Sequence, residues 1–292
     1  LSIDERETLG LVGESACGKS ATALSILRLI DRRQGAVAGG QIFWRGKNLL
    51  AFSDKGMRRI RGNEIGMVFQ DPFASLNPVR TVGSQIAESV RLHQGVGWRE
   101  ALSISRDALS RVRIPSPGDR LHEYPHQMSG GMQQRVMIAM SLSCNPRLLI
   151  ADEPTTALDV TTQAQILGLL EEIQNRSGMA LLLISHDMGV ISELADRIAI
   201  MYAGKIVEEG PARQLLARPA HPYTRALLKS VPRRRARLET IGGAVPDPVD
   251  YPGGCRFHPR CDMVQSVCVE REPALRRLGP RYRAACHFVG ER

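Results

Sequence analysis

Residues 8–30 carry an arrangement that few folds accommodate. The apolar run Thr8-Leu9-Gly10-Leu11-Val12 leads into Gly13-Glu14-Ser15-Ala16-Cys17-Gly18-Lys19-Ser20, and a helical pattern follows from Ala21 to Ile30. Glycines ahead of a helix start leave backbone N–H groups bare, and the helix dipole favours an anion at that end. Strand, glycine loop and helix in this order are the context of a phosphate-binding loop, whereas a plain glycine turn needs neither flank. The nest would be built from Gly13 to Ala21, with Lys19 long enough to reach β- and γ-phosphates and the Ser20 hydroxyl a ligand for Mg²⁺.

Downstream, residues 37–68 alternate apolar and polar around Gly39-Gly40 and Gly46, which predicts β-hairpin material. Residues 80–113 have helical spacing, and Pro115-Ser116-Pro117-Gly118 ends that block. A helix is expected from Ser129 to about Cys144, then a buried strand, Arg147 to Ala151, ending on Asp152-Glu153. A helix over 161–176 leads to the strand Met179–Ile184, which ends on Ser185-His186. Strands alternating with helices imply an α/β fold with a mostly parallel sheet, and its ligand belongs at the carboxyl ends of the strands, where Gly13, Asp152 and His186 fall. Adjacent strand residues point to opposite sides, so Asp152 and Glu153 can divide the work. One holds Mg²⁺ through water, and the other polarises an attacking water. Taken alone, the pair reads equally well as a solvated acidic turn.

The segment Met128-Ser129-Gly130-Gly131-Met132-Gln133-Gln134-Arg135 decides between these readings. Ser129 is a natural N-cap, and Gly130 and Gly131 leave a second helix start open to phosphate. Two such starts in one chain serve a single nucleotide only if they come from different subunits. The sequence resembles the ATP-binding-cassette (ABC) family, with Ser129 to Gln133 similar to its signature motif. Other motifs follow in order: Gly13–Ser20 as Walker A, Gln70 as the Q-loop, Leu148–Asp152 with Glu153 as Walker B, Ala157-Leu158-Asp159 as the D-loop and His186 as the H-loop.

The resemblance implies a P-loop NTPase (RecA-like) core over residues 1–210, with an inserted helical subdomain at about 71–145. It also implies two cassettes closing head to tail around two Mg-ATP molecules. Lys19 of one subunit and Ser129, Gly130, Gly131, Gln133 and Asp159 of the other would hold each nucleotide. Glu153 would act on the lytic water, His186 would contact the γ-phosphate, and Gln70 would reach Mg²⁺ with Ser20 and Asp152. Two features depart from the family pattern. Ala16 stands where glycine is usual, at a cost of about 1 kcal/mol if the site needs positive φ. Only twelve residues precede Gly13, so the family's N-terminal strands and adenine-stacking aromatic are expected to be missing. The chain begins at Leu1, not Met.

Beyond Gly210 the composition changes. The formal net charge is +9, with 39 Lys+Arg against 30 Asp+Glu, and the whole surplus lies in residues 211–292. A body without surplus charge, and aromatics at only 4%, argue against a nucleic-acid surface. The run Arg233-Arg234-Arg235-Ala236-Arg237 reads instead as a solvated or lipid-facing stretch. His221-Pro222-Tyr223-Thr224 is a helix start, and it also resembles the C-terminal extension of oligopeptide/dipeptide importer ATPases, whose relatives move nickel chelates or glutathione. That resemblance implies two permease subunits, a second ATPase subunit and, indirectly, an extracytoplasmic substrate-binding protein. It places the chain at the cytoplasmic face of the membrane. A soluble ABC ATPase acting on nucleic acid or ribosomes is the alternative from another class.

Cys255, Cys261, Cys268 and Cys286 are spaced too widely for ordinary structural zinc. In a reducing compartment they suit a [4Fe–4S] cluster first, zinc second and no metal third. Cys17 in the phosphate loop is expected to make nucleotide binding sensitive to alkylation.

Overall fold

The computed structural model describes residues 1–31, 33, 35–156, 158–230 and 241–289. Ala157 and the run Arg233–Arg237 lie outside the described residues. The chain packs as two compact units, one comprising Leu1–Ile3, Glu7–Ser20 and Leu183–Arg292, the other Asp4–Arg6 and Ala21–Leu182.

In chain order, β1 (Thr8–Val12) is fully buried and runs through the glycine loop into α1 (Lys19–Ile26). The hairpin expected over 37–68 is confined to β2 (Phe43–Trp44) and β3 (Lys47–Asn48), and α2 (Asp54–Ile60) takes the residues that follow. Ser53 caps α2, its hydroxyl accepting from the Gly56 N–H at 3.2 Å. Met57 and Ile60, three apart, then bury one helical face, so local capping wins over the apparent alternation. β4 (Ile65–Val68) and α3 (Pro72–Ser75) follow. The predicted helical block 80–113 divides into α4 (Val82–Gln94) and α5 (Trp98–Arg111), because Gly95 closes α4 in the left-handed region at φ 69°. α6 (Pro117–Arg120) occupies the expected break.

Next come α7 (Gly130–Leu142), β5 (Leu148–Asp152), α8 (Val160–Ser177) and β6 (Ala180–Ser185), each within a residue or two of the sequence expectation. They are followed by α9 (Met188–Leu194), β7 (Arg197–Tyr202) and β8 (Lys205–Pro211). The tail supplies α10 (Ala212–Ala217), α11 (Pro222–Lys229), α12 (Ser266–Glu270), β9 (Arg276–Gly279) and β10 (Tyr282–Ala284).

In the second unit β4 pairs in parallel with β5, Ile65 opposite Leu148 and Val68 opposite Ala151. In the first unit β1 pairs in parallel with β7, and β8, β10 and β9 add antiparallel strands in turn. β1, β5, β6 and β7 are buried along their whole length, as parallel strands covered on both faces require.

Buried charge in the first unit keeps ion-pair or hydrogen-bond partners. Arg197, 5% exposed, lies between the carboxylates of Glu7 at 3.2 Å and Glu209 at 3.5 Å, and Arg281 and Arg283 complete the two pairs. Glu208, fully buried, accepts from the Ala220 and His221 N–H groups at 2.8 and 2.9 Å and from the Tyr282 hydroxyl at 2.6 Å. Each carboxylate in water-poor surroundings thus keeps hydrogen-bonded partners, without which its burial would be prohibitive.

Candidate active site

The first unit holds the phosphate loop. A Cβ on Gly13 would lie 2.2 Å from the Met201 carbonyl oxygen and 2.7 Å from Cys17 Sγ, so only glycine fits there. Ala16 takes φ 62°, the left-handed conformation that the glycine of the family pattern adopts freely. Lys19, 5% exposed, donates from Nζ to the carbonyls of Gly13 at 2.8 Å and Glu14 at 3.0 Å, which curls the loop around its own ammonium group. Ser20 lies in the first turn of α1, and Ala21 is the first residue of the second unit's share of that helix. Cys17 is 1% exposed, and burial, outweighing the attraction of Lys19, pushes its thiol pKa up. The expected sensitivity to alkylation is thereby reduced, since the thiolate is the reactive form. His186 is exposed immediately after β6.

Two contacts on this loop come from residues more than 200 positions away. The Glu14 N–H donates to the Tyr223 hydroxyl at 3.0 Å, and the Glu14 carboxylate receives both terminal nitrogens of Arg260, at 2.8 and 3.0 Å. Tyr223 belongs to the His-Pro-Tyr-Thr motif, whose local chemistry is legible. His221 Nδ1 caps α11 by accepting from the Tyr223 N–H at 3.0 Å, Pro222 takes the first turn, and Tyr223 and Thr224 are fully buried. Nothing in the sequence signalled that the tyrosine reaches the phosphate loop.

The second unit holds the carboxylates. Asp152 ends β5 and is 5% exposed. Glu153, just beyond, has φ 46°, a strained conformation for a side-chain-bearing residue and one that clusters at functional sites. Its Oε2 accepts from Gln70 Nε2 at 3.2 Å and from the Thr156 hydroxyl at 2.9 Å. Gln70 and Glu153 are therefore brought together, and Thr156 is a partner that sequence reasoning missed.

Ser129 caps α7, its hydroxyl accepting from the Met132 N–H at 3.4 Å. A Cβ on Gly131 would meet Thr162 Cγ2 at 2.8 Å, so this glycine permits the approach of α7 to the start of α8. Gly130 has open space around it. Gln133 is 1% exposed and turns inward, donating to the Pro125 and Met128 carbonyls at 2.8 and 3.1 Å. Asp159 caps α8, and the Thr162 N–H and hydroxyl that it accepts hold its pKa below the usual carboxylate range.

The tail cysteines are all free thiols. Cys255, Cys261, Cys268 and Cys286 line one cavity together with Phe257 and Met263. Burial, reinforced by its three cysteine neighbours, pushes Cys255 up to about 11, and burial raises Cys261 and Cys286 as well. Sulfur donors are the right chemistry for zinc or an iron–sulfur cluster. Among the described residues, however, no group of three or more His, Cys, Asp or Glu side chains is arranged to hold a metal ion. As placed, the thiols surround a common cavity, and the expected [4Fe–4S] or zinc centre finds no support among the described residues.

The family model described as ABC transporter matches residues 1–156, and the one described as oligopeptide/dipeptide transporter, C-terminal region, matches residues 207–268. The chain belongs to the ABC transporter family. It is 53% identical over 284 residues to a probable peptide ABC transporter ATP-binding protein of Sinorhizobium fredii, covering 96% of this chain and 85% of that one. It is 49% identical over 298 residues to a putative peptide import ATP-binding protein of Brucella melitensis, covering 97% and 88%. Among solved structures it resembles a dimeric ATP-binding cassette in a post-hydrolysis state bound to ADP and Pi, with TM-score 0.64, 28% identity and coverage of 73% and 88%. A cassette from Clostridium perfringens that is part of an ABC transporter complex matches with TM-score 0.64 and 26% identity, covering 74% and 82%. The fold is thus that of an ABC ATPase cassette, and the protein binds and hydrolyses ATP. Among the described residues no helix is long and apolar enough to cross a membrane.

Proposed function

We propose that this chain is the ATPase subunit that energises an importer of di- or oligopeptides. The observation that carries this reading is the conjunction, in one chain, of the ABC motif set with a C-terminal region of the oligopeptide/dipeptide transporter type over residues 207–268. The names of relatives at about half identity support the same cargo class. In this reading the cassette body is residues 1–210, with a helical subdomain at about 71–145, and residues 211–292 form the extension. The chain works at the cytoplasmic face of the membrane with two permease subunits and a second cassette, and an extracytoplasmic binding protein delivers the peptide.

Each residue has a part. Backbone N–H groups of Gly13 to Ala21 cradle the phosphates, and Lys19 leaves its loop carbonyls to meet the β- and γ-phosphates. Ser20, Asp152 and Gln70 offer hydroxyl, carboxylate and amide oxygens, the hard donors that Mg²⁺ takes. When bound, Mg²⁺ neutralises charge developing on the phosphoryl oxygens. Glu153, steadied by Gln70 and Thr156, orients the lytic water and accepts its proton, while His186 donates to the γ-phosphate. Ser129, Gly130 and Gly131 of the second cassette close the site from the other side, with Asp159 beside them. Gln133 supports the turn ahead of that signature helix. The iron–sulfur cluster has no part in this reading, because nothing among the described residues supports it.

The test is reconstitution in liposomes with cognate permease subunits and binding protein. ATP hydrolysis is expected to rise when peptide-loaded binding protein is added. Stimulation by nucleic acid instead, with no association with permeases, would remove the importer assignment.

A further inference from the structure

The cysteine-bearing part of the tail grips the phosphate loop through one guanidinium. Arg260 ends the short turn His258–Arg260 and immediately precedes Cys261. Its side chain is 4% exposed, and all three of its nitrogens are engaged. Nη1 donates to Glu14 Oε2 at 2.8 Å and to the Tyr202 hydroxyl at 3.3 Å; Nη2 donates to Glu14 Oε1 at 3.0 Å and to the Ile241 carbonyl at 3.4 Å; Nε donates to the Gly242 carbonyl at 2.8 Å. The fork-to-fork geometry with Glu14 is the strong form of an Arg–carboxylate pair, and the remaining donors fix the guanidinium from behind.

A second brace runs from the residue after Cys255. Arg256 stacks over the Tyr251 ring at 3.9 Å and donates to the Ala203 carbonyl, and the adjoining Gly204 N–H donates to the Cys17 carbonyl at 2.8 Å. Two of the four variable positions of the phosphate loop, Glu14 and Cys17, are thereby fixed from the same part of the tail.

Glu14 poses an electrostatic problem that this arrangement solves. A free carboxylate in a loop that must receive a triphosphate repels it, and at the partly buried position of Glu14 that repulsion is only weakly screened. We propose that Arg260 is a positioning residue for the phosphate loop: by neutralising Glu14 and holding it in place, the tail sets the affinity of the cassette for ATP. The proposal rests on the assignment of Gly13–Ser20 as the ATP-binding loop.

The experiment measures Mg-ATP affinity by titration calorimetry, and kcat and KM for hydrolysis, on the full chain. Arg260→Met is expected to weaken ATP binding and raise KM about tenfold, with kcat at saturating ATP within about twofold. Arg260→Lys, which keeps the charge and loses the fork, falls between. Adding Glu14→Gln to Arg260→Met removes the unpaired carboxylate and recovers most of the affinity, a response that a merely structural arginine would not give. Unchanged affinity in Arg260→Met, or no recovery in the double variant, overturns the proposal. If Arg260→Met does not fold, Arg260→Lys carries the test, and an unaltered KM there overturns the proposal. Lys19→Ala separates the two questions: undiminished ATP binding in that variant removes the loop assignment itself, whatever Arg260 does.

Discussion

Gln70 Nε2 donates to Glu153 Oε2 across 3.2 Å, although 83 residues separate them. The bond joins the loop after β4 to the end of β5, two strands that pair in parallel. Gln70 and Thr156 both donate to one oxygen of that carboxylate and fix its position just beyond β5. Replacing Glu153 by Gln preserves shape and hydrogen bonding but removes the proton acceptor. Phosphate release is expected to fall about 10²- to 10⁴-fold, with ATP binding intact and the closed dimer accumulating on size-exclusion chromatography. Hydrolysis at the wild-type rate would sink the assignment of Glu153.

Ala16 at φ 62° carries strain that glycine would not. Left-handed backbone costs a side-chain-bearing residue roughly 1–2 kcal/mol, and glycine in turn loses about 0.4–1 kcal/mol through the greater freedom of its unfolded chain. The relief exceeds the loss, so Ala16→Gly should raise the urea midpoint slightly. A lowered midpoint would mean that the Ala16 methyl makes contacts worth more than the strain.

The parts of the fold and site that were legible from sequence share one property: their causes lie within a few residues. Ser129 and Asp159 cap helices whose first turns follow directly, and Gly13 and Gly18 mark a loop between adjacent elements. The split at Gly95 and the start of α2 at Ser53 were local too, but apolar spacing across them imitated a continuous helix and a hairpin. What could not be read was pairing over distance. Arg260 and Glu14 are 246 positions apart, and neither residue type in its own neighbourhood names the other. The four cysteines are a different case: the fold brings them to the walls of a common cavity, and the metal centre that their count suggested finds no support among the described residues.

His221 is 1% exposed and accepts an N–H at Nδ1, and burial, with Arg225 nearby, holds its pKa down to about 3. The unfolded chain therefore takes up a proton near pH 6.5 that the folded chain refuses until about pH 3. Stability should decline as pH falls below 6.5, by up to ~1.4 kcal/mol per unit from this group. Asparagine can replace the helix cap without titrating. Urea midpoints compared between pH 7 and pH 5 should fall less for His221→Asn than for the wild type, even though the variant begins less stable. Equal slopes would show that His221 is not the group responsible.

Tyr282 donates to the buried Glu208 carboxylate at 2.6 Å. Tyr282→Phe removes that donor while leaving the carboxylate buried, at a cost of about 1–3 kcal/mol. Urea unfolding should register the loss. A change below ~0.5 kcal/mol would mean that the Ala220 and His221 N–H groups suffice for Glu208.

The antiparallel strands donated by the tail also determine where the sheet stops. β10 covers the flank of β8, and β9 becomes the terminal strand, with Arg276 and Arg277 exposed along it. Terminal strands invite pairing with other chains, and cationic side chains deter it. Part of the surplus positive charge in the tail is therefore protection against self-association. A chain cut after Gly210 would lose that protection along with β10, leaving β8 as a bare strand open to aggregation.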